Sequence, residues 1–146
     1  MEIKSPQSDA EWKAYYALRF NILREPWNQP LGSEVLADED QAIHAIAVKD
    51  NEVLGVARMH ESAEKQGQVR CVATATAAQG KGIGRAIMAY LEDQAKAKGW
   101  TEIVLEAREN AVPFYQRIGY TIFAESYLLF GEIQHYRMKK ALNLSE

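Results

Sequence analysis

The chain has 146 residues, 47% of them hydrophobic and 25% charged, with a formal net charge of -3. That is enough chain to bury the core of one domain, and the acidic balance argues against a general nucleic-acid binder, which would show a basic face. One cysteine, Cys71, and three scattered histidines exclude an internal disulfide framework and any CxxC or HExxH metal-ligand spacing.

In chain order, the opening stretch MEIKSPQSDAEWK lacks the apolar core of a signal peptide. No later apolar run approaches the roughly 20 residues needed to span a bilayer. SDAEWKAYYALRFNILREP begins with cap-type residues and sets Trp12, Tyr15, Leu18 and Ile22 at helical spacing, with Pro26 as the stop. From Trp27 to Asp40 the chain reads as a loop, with a short helix near Val35 to Ala37. Two β-rich runs, near Ala42–Val48 and Val53–His60, flank Asp50-Asn51 and predict a hairpin.

AEKQGQ is a second turn, and VRCVATA returns as a third strand. Ile83, Ile87 and Leu91 then follow a period near 3.6, with Gly99 placed as the residue just past a helix end. TEIVLEA reads as a buried-type strand. Asn110 is suited to cap a short helix that holds Pro113 in its first turn and ends at Gly119. YTIFAE and IQHYRMKKAL close the fold as two strands, and the tail NLSE is expected to fray. No repeat or linker interrupts this order, so the expectation is a single domain, residues 1–146, of mixed α/β (α+β) type.

Three glycines and a lysine in QGKGIGRAIM separate the third strand from the periodic helix. A Walker A loop is rejected, because Lys81 is followed by Gly82 and the upstream glycine is missing. A Rossmann GxGxxG fails as well, for Gly82-Ile83-Gly84 lacks the third glycine. What remains is QxxGxG, Gln79, Gly82 and Gly84, directly after a strand and directly before a helix. Unpaired N–H groups converge at such a helix start, and the helix dipole favours an anion there. Glycines let the backbone approach phosphates closely, and Lys81 and Arg85 add positive charge. A ligand-free turn is the plainer reading of the same residues.

With the strand meander, QGKGIGRAIM, the long helix and AVPFYQRIGY in that order, the chain resembles the GNAT-type N-acetyltransferases, which use acetyl-coenzyme A. The resemblance runs from the helix at Glu11 to the strand ending near Lys140, and AVPFYQRIGY matches the family's AxxFYxxxGF/Y. It implies a central, mostly antiparallel twisted sheet of six to seven strands, flanked by about four helices and splayed at the cofactor site. It further implies that Val72, Ala73 and Thr74 pair with the pantetheine arm and that a main-chain N–H near Val72 or Ala73 polarises the thioester carbonyl. The pyrophosphate would lie on the backbone of Gln79, Gly80, Lys81, Gly82, Ile83, Gly84 and Arg85. Tyr115 takes the slot of the family's general acid, which protonates the departing thiolate; core packing beside Phe114 is the alternative.

Two positions depart from the family pattern. Arg108 stands where many relatives carry asparagine seven positions before the tyrosine, and Thr76 stands in place of a proline ahead of the glycine loop. On the acceptor side, a neutral amine must lose a proton, for which Glu61, His60, His44 and His135 are candidates. The histidines also read as satisfied sheet residues, and His60-Glu61 as the border of a turn. Cys71 reads as a small apolar filler on a buried strand rather than an acyl carrier. Arg58 and Arg70 could hold a substrate carboxylate, or be exposed or paired with glutamates.

Trp27 and Asn28 fall where family members build the acceptor pocket, and the acidic run Asp38–Gln41 reads as a solvated loop or as a lure for a cationic amine. The resulting expectation is a cytoplasmic acyltransferase with acetyl-coenzyme A as donor, an amine as acceptor, no metal, and no membrane or nucleic-acid partner. A coenzyme A-binding sensor or interaction module without turnover is the competing reading. A homodimer through the late strands follows from analogy alone.

Overall fold

The computed structural model describes residues 1–129, 131 and 133–143. In chain order its elements are β1 (Glu2–Lys4), α1 (Asp9–Leu23), β2 (Ile43–Lys49), β3 (Glu52–Ala63), β4 (Gln66–Thr74), α2 (Ile83–Ala97), β5 (Glu102–Arg108), α3 (Val112–Arg117), β6 (Thr121–Leu129) and β7 (Ile133–Ala141). Among the described residues, three α-helices and four short 3-10 turns accompany one seven-stranded sheet in the order β1-β2-β3-β4-β5-β7-β6. Pairs β1–β2, β2–β3, β5–β7 and β6–β7 are antiparallel, and β4–β5 is parallel. The mixed α/β architecture expected from the sequence is the one observed. No helix among the described residues is long and apolar enough to cross a membrane.

The chain divides into two compact units, Met1–His60 with Cys71–Leu91, and Glu61–Arg70 with Glu92–Glu146. In the first unit, α1 starts where the Ser8 hydroxyl accepts the Glu11 N–H at 3.1 Å, and Asp9 and Glu11 sit favourably at the positive end of its dipole. Trp12, Leu18 and Ile22, three of the four residues expected to form its apolar stripe, pack on a buried cluster of Tyr15, Ile46, Val56 and Ala73. The helix ends at Leu23, just ahead of Pro26. Asp50 and Asn51 turn the β2–β3 hairpin with φ of 53° and 65°, the left-handed pair that a tight hairpin requires. Ile83, Ile87 and Leu91 of α2 are buried, as their period predicts. Gly55 on β3 admits them: a Cβ there would stand 2.7 Å from both Ile83 Cγ2 and Ile87 Cδ1.

In the second unit, α2 ends in a paired C-terminal motif. Gly99 N–H bonds the Lys96 carbonyl and Trp100 N–H the Ala95 carbonyl, each at 3.0 Å, with Gly99 at φ 79°. β5 alternates burial, hiding Ile103, Leu105 and Ala107. The helix α3 carries Pro113 in its first turn as expected, but its N-cap is Ala111, with a 3-10 turn over Glu109–Ala111 ahead of it. Asn110 therefore lies inside that turn and does not cap. Lys140 Nζ ties the end of this turn region to the last strand, donating to the Ile118 carbonyl and to Glu92, both at 2.9 Å. Of the tail NLSE, Asn143 is described and the remaining residues lie outside the described set.

The β4–β5 ladder covers only Gln66–Val69 against Glu102–Leu105, although β4 runs on to Thr74 and β5 to Arg108. Two residues past the ladder, Cys71 has φ 59°. A non-glycine residue in the left-handed region within a strand marks a bulge that bends it. The paired part of β4 thus ends beside a local bend in its own backbone.

Candidate functional site

The glycine stretch forms a loop of open backbone. After β4, the Ala75 N–H holds the Leu54 carbonyl at 2.8 Å, and a 3-10 turn spans Thr76–Ala78. The Gln79 side-chain amide reaches back to donate to the Thr74 carbonyl at 3.2 Å. Gly80 and Gly82 have φ of 79° and 81°, and a Cβ on either would meet no heavy atom within 4 Å. They are glycine for conformational reasons, because a side chain strains that backbone, and not because the protein itself crowds them.

Ala86 N–H closes the first turn of α2 on the Gly82 carbonyl at 3.1 Å. The N–H groups preceding it have no intrahelical acceptor. Gln79, Gly80, Lys81, Gly82 and Arg85 are exposed, and Gly84 is half-buried. Ile83 differs: its side chain is core, so only its backbone can face a ligand. On β4, Ala73 is buried, and Val72 and Thr74 are half-buried. The loop can therefore offer an anion several backbone donors at the positive end of a helix dipole, flanked by two cations.

A buried charge network occupies the same unit. Arg58, on β3, is 0% exposed; its Nη1 lies 3.0 Å from Asp38 Oδ1 and 3.4 Å from Glu39 Oε1. Arg19, on α1 and 1% exposed, also holds Glu39 through Nη1, and the same nitrogen donates to the Glu34 carbonyl at 2.8 Å. Its Nη2 donates to the Tyr15 hydroxyl at 2.6 Å. Burial pushes the Glu39 carboxyl up, but the Arg19 hydrogen bond, the Leu36 N–H and both guanidiniums outweigh it and hold Glu39 below the usual carboxylate range. His44 contacts the Tyr15 hydroxyl through Nδ1 and the Glu39 carbonyl through Nε2, each at 2.6 Å. Desolvation lowers the His44 pKa, with Arg19 and Arg58 adding to the effect.

In the second unit, Tyr115 is buried on α3, its ring edge-on to Phe114 at 5.0 Å and to Tyr120 at 5.9 Å. Its carbonyl takes the Tyr120 N–H at 3.0 Å, which fixes the helix exit. Burial raises the Tyr115 pKa well above that of a free phenol, with Arg108 opposing. The group is thus a protonated donor at neutral pH. Tyr120 instead commits its hydroxyl to Glu92 at 2.9 Å. His135, buried on β7, donates from Nδ1 to the Ile133 carbonyl at 3.0 Å and stacks on Tyr127. A cavity of about 340 Å³ is lined in this unit by residues that include Gln66, Gln68, Glu106, Phe123 and Arg137.

Residues 11–120 match the acetyltransferase (GNAT) family. The chain belongs to that family. It is 25% identical over 134 residues to the uncharacterised N-acetyltransferase YjcF of Bacillus subtilis (strain 168), covering 92% of this chain and 95% of that one. An acyl-CoA N-acyltransferase from Pseudomonas aeruginosa superposes with a TM-score of 0.73 at 25% identity, over 96% of this chain and 97% of that one. An aminoglycoside 6'-N-acetyltransferase crystallised with coenzyme A superposes with a TM-score of 0.83 over 97% of each chain; at 16% identity that likeness is one of fold.

Several acceptor-side readings change on this GNAT chain. Arg58 is paired with carboxylates, as one reading of the sequence had it, while Arg70 is exposed. The acidic run Asp38–Gln41 is not simply a solvated loop, because Glu39 turns inward to bridge two arginines. Cys71 is half-buried at a bulge rather than a buried filler. His44 and His135 are satisfied sheet histidines. Arg19 and Gly55 escaped the sequence reading altogether. Arg19 follows Tyr15 by one helical turn, and an isolated glycine inside a strand signals a close approach; both signals were present.

Proposed function

We propose that the protein transfers an acetyl group from acetyl-coenzyme A to a primary amine by direct attack in a ternary complex, the whole chain acting as one acetyltransferase domain. Family membership supports acyl transfer and acyl-coenzyme A binding. The observation that carries the donor assignment is the loop of Gly80 and Gly82, left-handed, exposed and open, leading into α2.

In this reading the pyrophosphate lies on the backbone from Gln79 to Arg85, and the pantetheine arm pairs with Val72, Ala73 and Thr74 beyond the Cys71 bulge. A main-chain N–H at Val72 or Ala73 stabilises the tetrahedral oxyanion. The amine nitrogen forms a bond to the thioester carbon, the carbon–sulfur bond breaks, and the thiolate takes a proton from Tyr115. The amine's own proton passes to water. His44 is a poor base for it, because both ring nitrogens are engaged and its pKa is lowered.

The test is calorimetry with acetyl-coenzyme A and coenzyme A, followed by thiol release with a panel of amines. One-to-one binding with amine-dependent thiol release supports the reading. A folded protein that binds neither form of the coenzyme removes it, and binding without release under any amine leaves a non-catalytic coenzyme A binder.

A further inference from the structure

Arg58 is the residue whose chemistry the network leaves incomplete. Its guanidinium is fully buried, and only Nη1 meets carboxylates. Nε and Nη2 are buried without a hydrogen-bond partner among the described residues, as is Arg19 Nε. Nε and Nη2 share one edge of the planar guanidinium, the edge that pairs with both oxygens of a carboxylate. Leaving two charged donors desolvated and unpaired costs several times what an ordinary hydrogen bond contributes.

The carboxylates present all meet Arg58 at one nitrogen: Asp38 and Glu39 match the two guanidiniums in number, but both reach only Nη1 of Arg58. The remaining edge is a planar two-pronged donor, the shape that pairs with the two oxygens of a carboxylate.

The position suits an acceptor. Val56 precedes Arg58 by two residues and so lies on the same face of β3. It is packed in one cluster with Tyr15 and with Ala73 of the strand assigned to the thioester.

We propose that the acceptor amine carries a carboxylate, and that the Nε–Nη2 edge of Arg58 binds it, so that the substrate class is the amino acids rather than simple amines or polyamines. This rests on the acetyltransferase reading above and narrows it.

The test compares matched acceptors: β-alanine, γ-aminobutyrate and ε-aminocaproate against their amides and the corresponding alkylamines. Binding to the protein saturated with coenzyme A is followed by calorimetry, and thiol release is measured with acetyl-coenzyme A. The expected result is at least one amino acid that binds about tenfold or more tighter than its amide, with a parallel gain in kcat/KM. Arg58→Lys, which keeps the charge and loses the planar fork, should bring the amino acid down to the amide and leave acetyl-coenzyme A affinity unchanged.

Equal binding of acids, amides and alkylamines by the wild-type protein overturns the proposal even if Arg58→Lys fails to fold. So does binding of none of the amino acids. Thiol release with alkylamines alone would sink the carboxylate subsite and leave the acetyltransferase standing. Failure to bind acetyl-coenzyme A at all would sink the broader reading separately.

Discussion

The Tyr15 hydroxyl and His44 Nδ1 meet at 2.6 Å, with both side chains buried. Arg19 Nη2 donates to the same hydroxyl, so the phenol O–H is free to point at Nδ1 when His44 is neutral, and Nε2–H then donates to the Glu39 carbonyl. Protonation would place a third cation beside two guanidiniums. Desolvation, the larger cause, and those guanidiniums hold the folded pKa below the ordinary 6.5.

The sign follows from linkage. Below about pH 6.5 the unfolded chain takes up a proton that the folded chain refuses, so stability falls as pH drops from there to the lower folded pKa. Denaturant midpoints across that window should decline in the wild type and decline less in His44→Gln. Parallel curves would show that His44 titrates normally.

Glu39 joins α1 to β3 by holding Arg19 and Arg58 together, and it is nearly enclosed. Glu39→Gln keeps the shape and removes the charge, leaving two buried cations facing one partly hydrated Asp38. Breaking a buried pair on one side costs about 3–5 kcal/mol. The loss should appear as a lower urea midpoint at neutral pH. Since the folded pKa of Glu39 lies below its unfolded value of 4.5, the wild type keeps this contribution above that value and loses it as pH falls through the folded pKa. The variant's acid limb should therefore be flatter; an unchanged midpoint at neutral pH would mean the bridge carries no stability.

Local signals in the sequence were enough for much of this fold. Ile83, Ile87 and Leu91 fall on one stripe because a buried helix face repeats every 3.6 residues. Asp50-Asn51 and Gly99 stand out because few residues tolerate left-handed backbone. What stayed hidden depends on partners distant in the chain. Glu39 looked solvated within an acidic run because its two arginines lie 20 and 19 positions away, at Arg19 and Arg58. The three-residue β1 is too short to show alternation. Asn110 resembled a cap, but a 3-10 turn starts ahead of it and moves the helix start to Val112. The glycine loop was legible as a shape, whereas the orphaned edge of Arg58 appears only once burial is known.

Gly55 sets how closely β3 approaches α2. In Gly55→Ala the new methyl would stand 2.7 Å from Ile83 Cγ2, near a branch point that cannot swing away. Overpacking of this kind costs about 1–3 kcal/mol. Ile83 is also the first residue of α2, so the shift should pass to the loop before it. A lower melting temperature with weakened acetyl-coenzyme A binding is expected, and unchanged values for both would show that the contact relaxes freely.

Gly82 separates backbone strain from charge. Alanine there meets open space but must adopt φ near 81°, at a cost of about 1–2 kcal/mol. Gly82→Ala should lose stability and still bind acetyl-coenzyme A. Gly82→Glu carries the same backbone penalty and adds a negative charge where the pyrophosphate is proposed to lie, so calorimetry should show no binding. A folded Gly82→Glu with wild-type affinity would place the phosphates elsewhere.

Tyr115→Phe isolates the proposed proton transfer. The substitution keeps the edge-on ring contacts with Phe114 and Tyr120, so acetyl-coenzyme A affinity and melting temperature should stay close to wild type. General-acid catalysis contributes about 100-fold or more where it operates, and kcat should fall on that scale. The raised Tyr115 pKa adds a second signature. The phenol stays protonated past the range in which a free tyrosine ionises, so the wild-type kcat should show no tyrosine-type decline as pH approaches about 10. The comparison variant is Tyr120→Phe, whose hydroxyl bonds Glu92: it should lower stability and leave kcat nearly unchanged. An equal drop in kcat in both variants would assign the effect to packing, and an undiminished kcat in Tyr115→Phe would hand the leaving thiolate's proton to another donor.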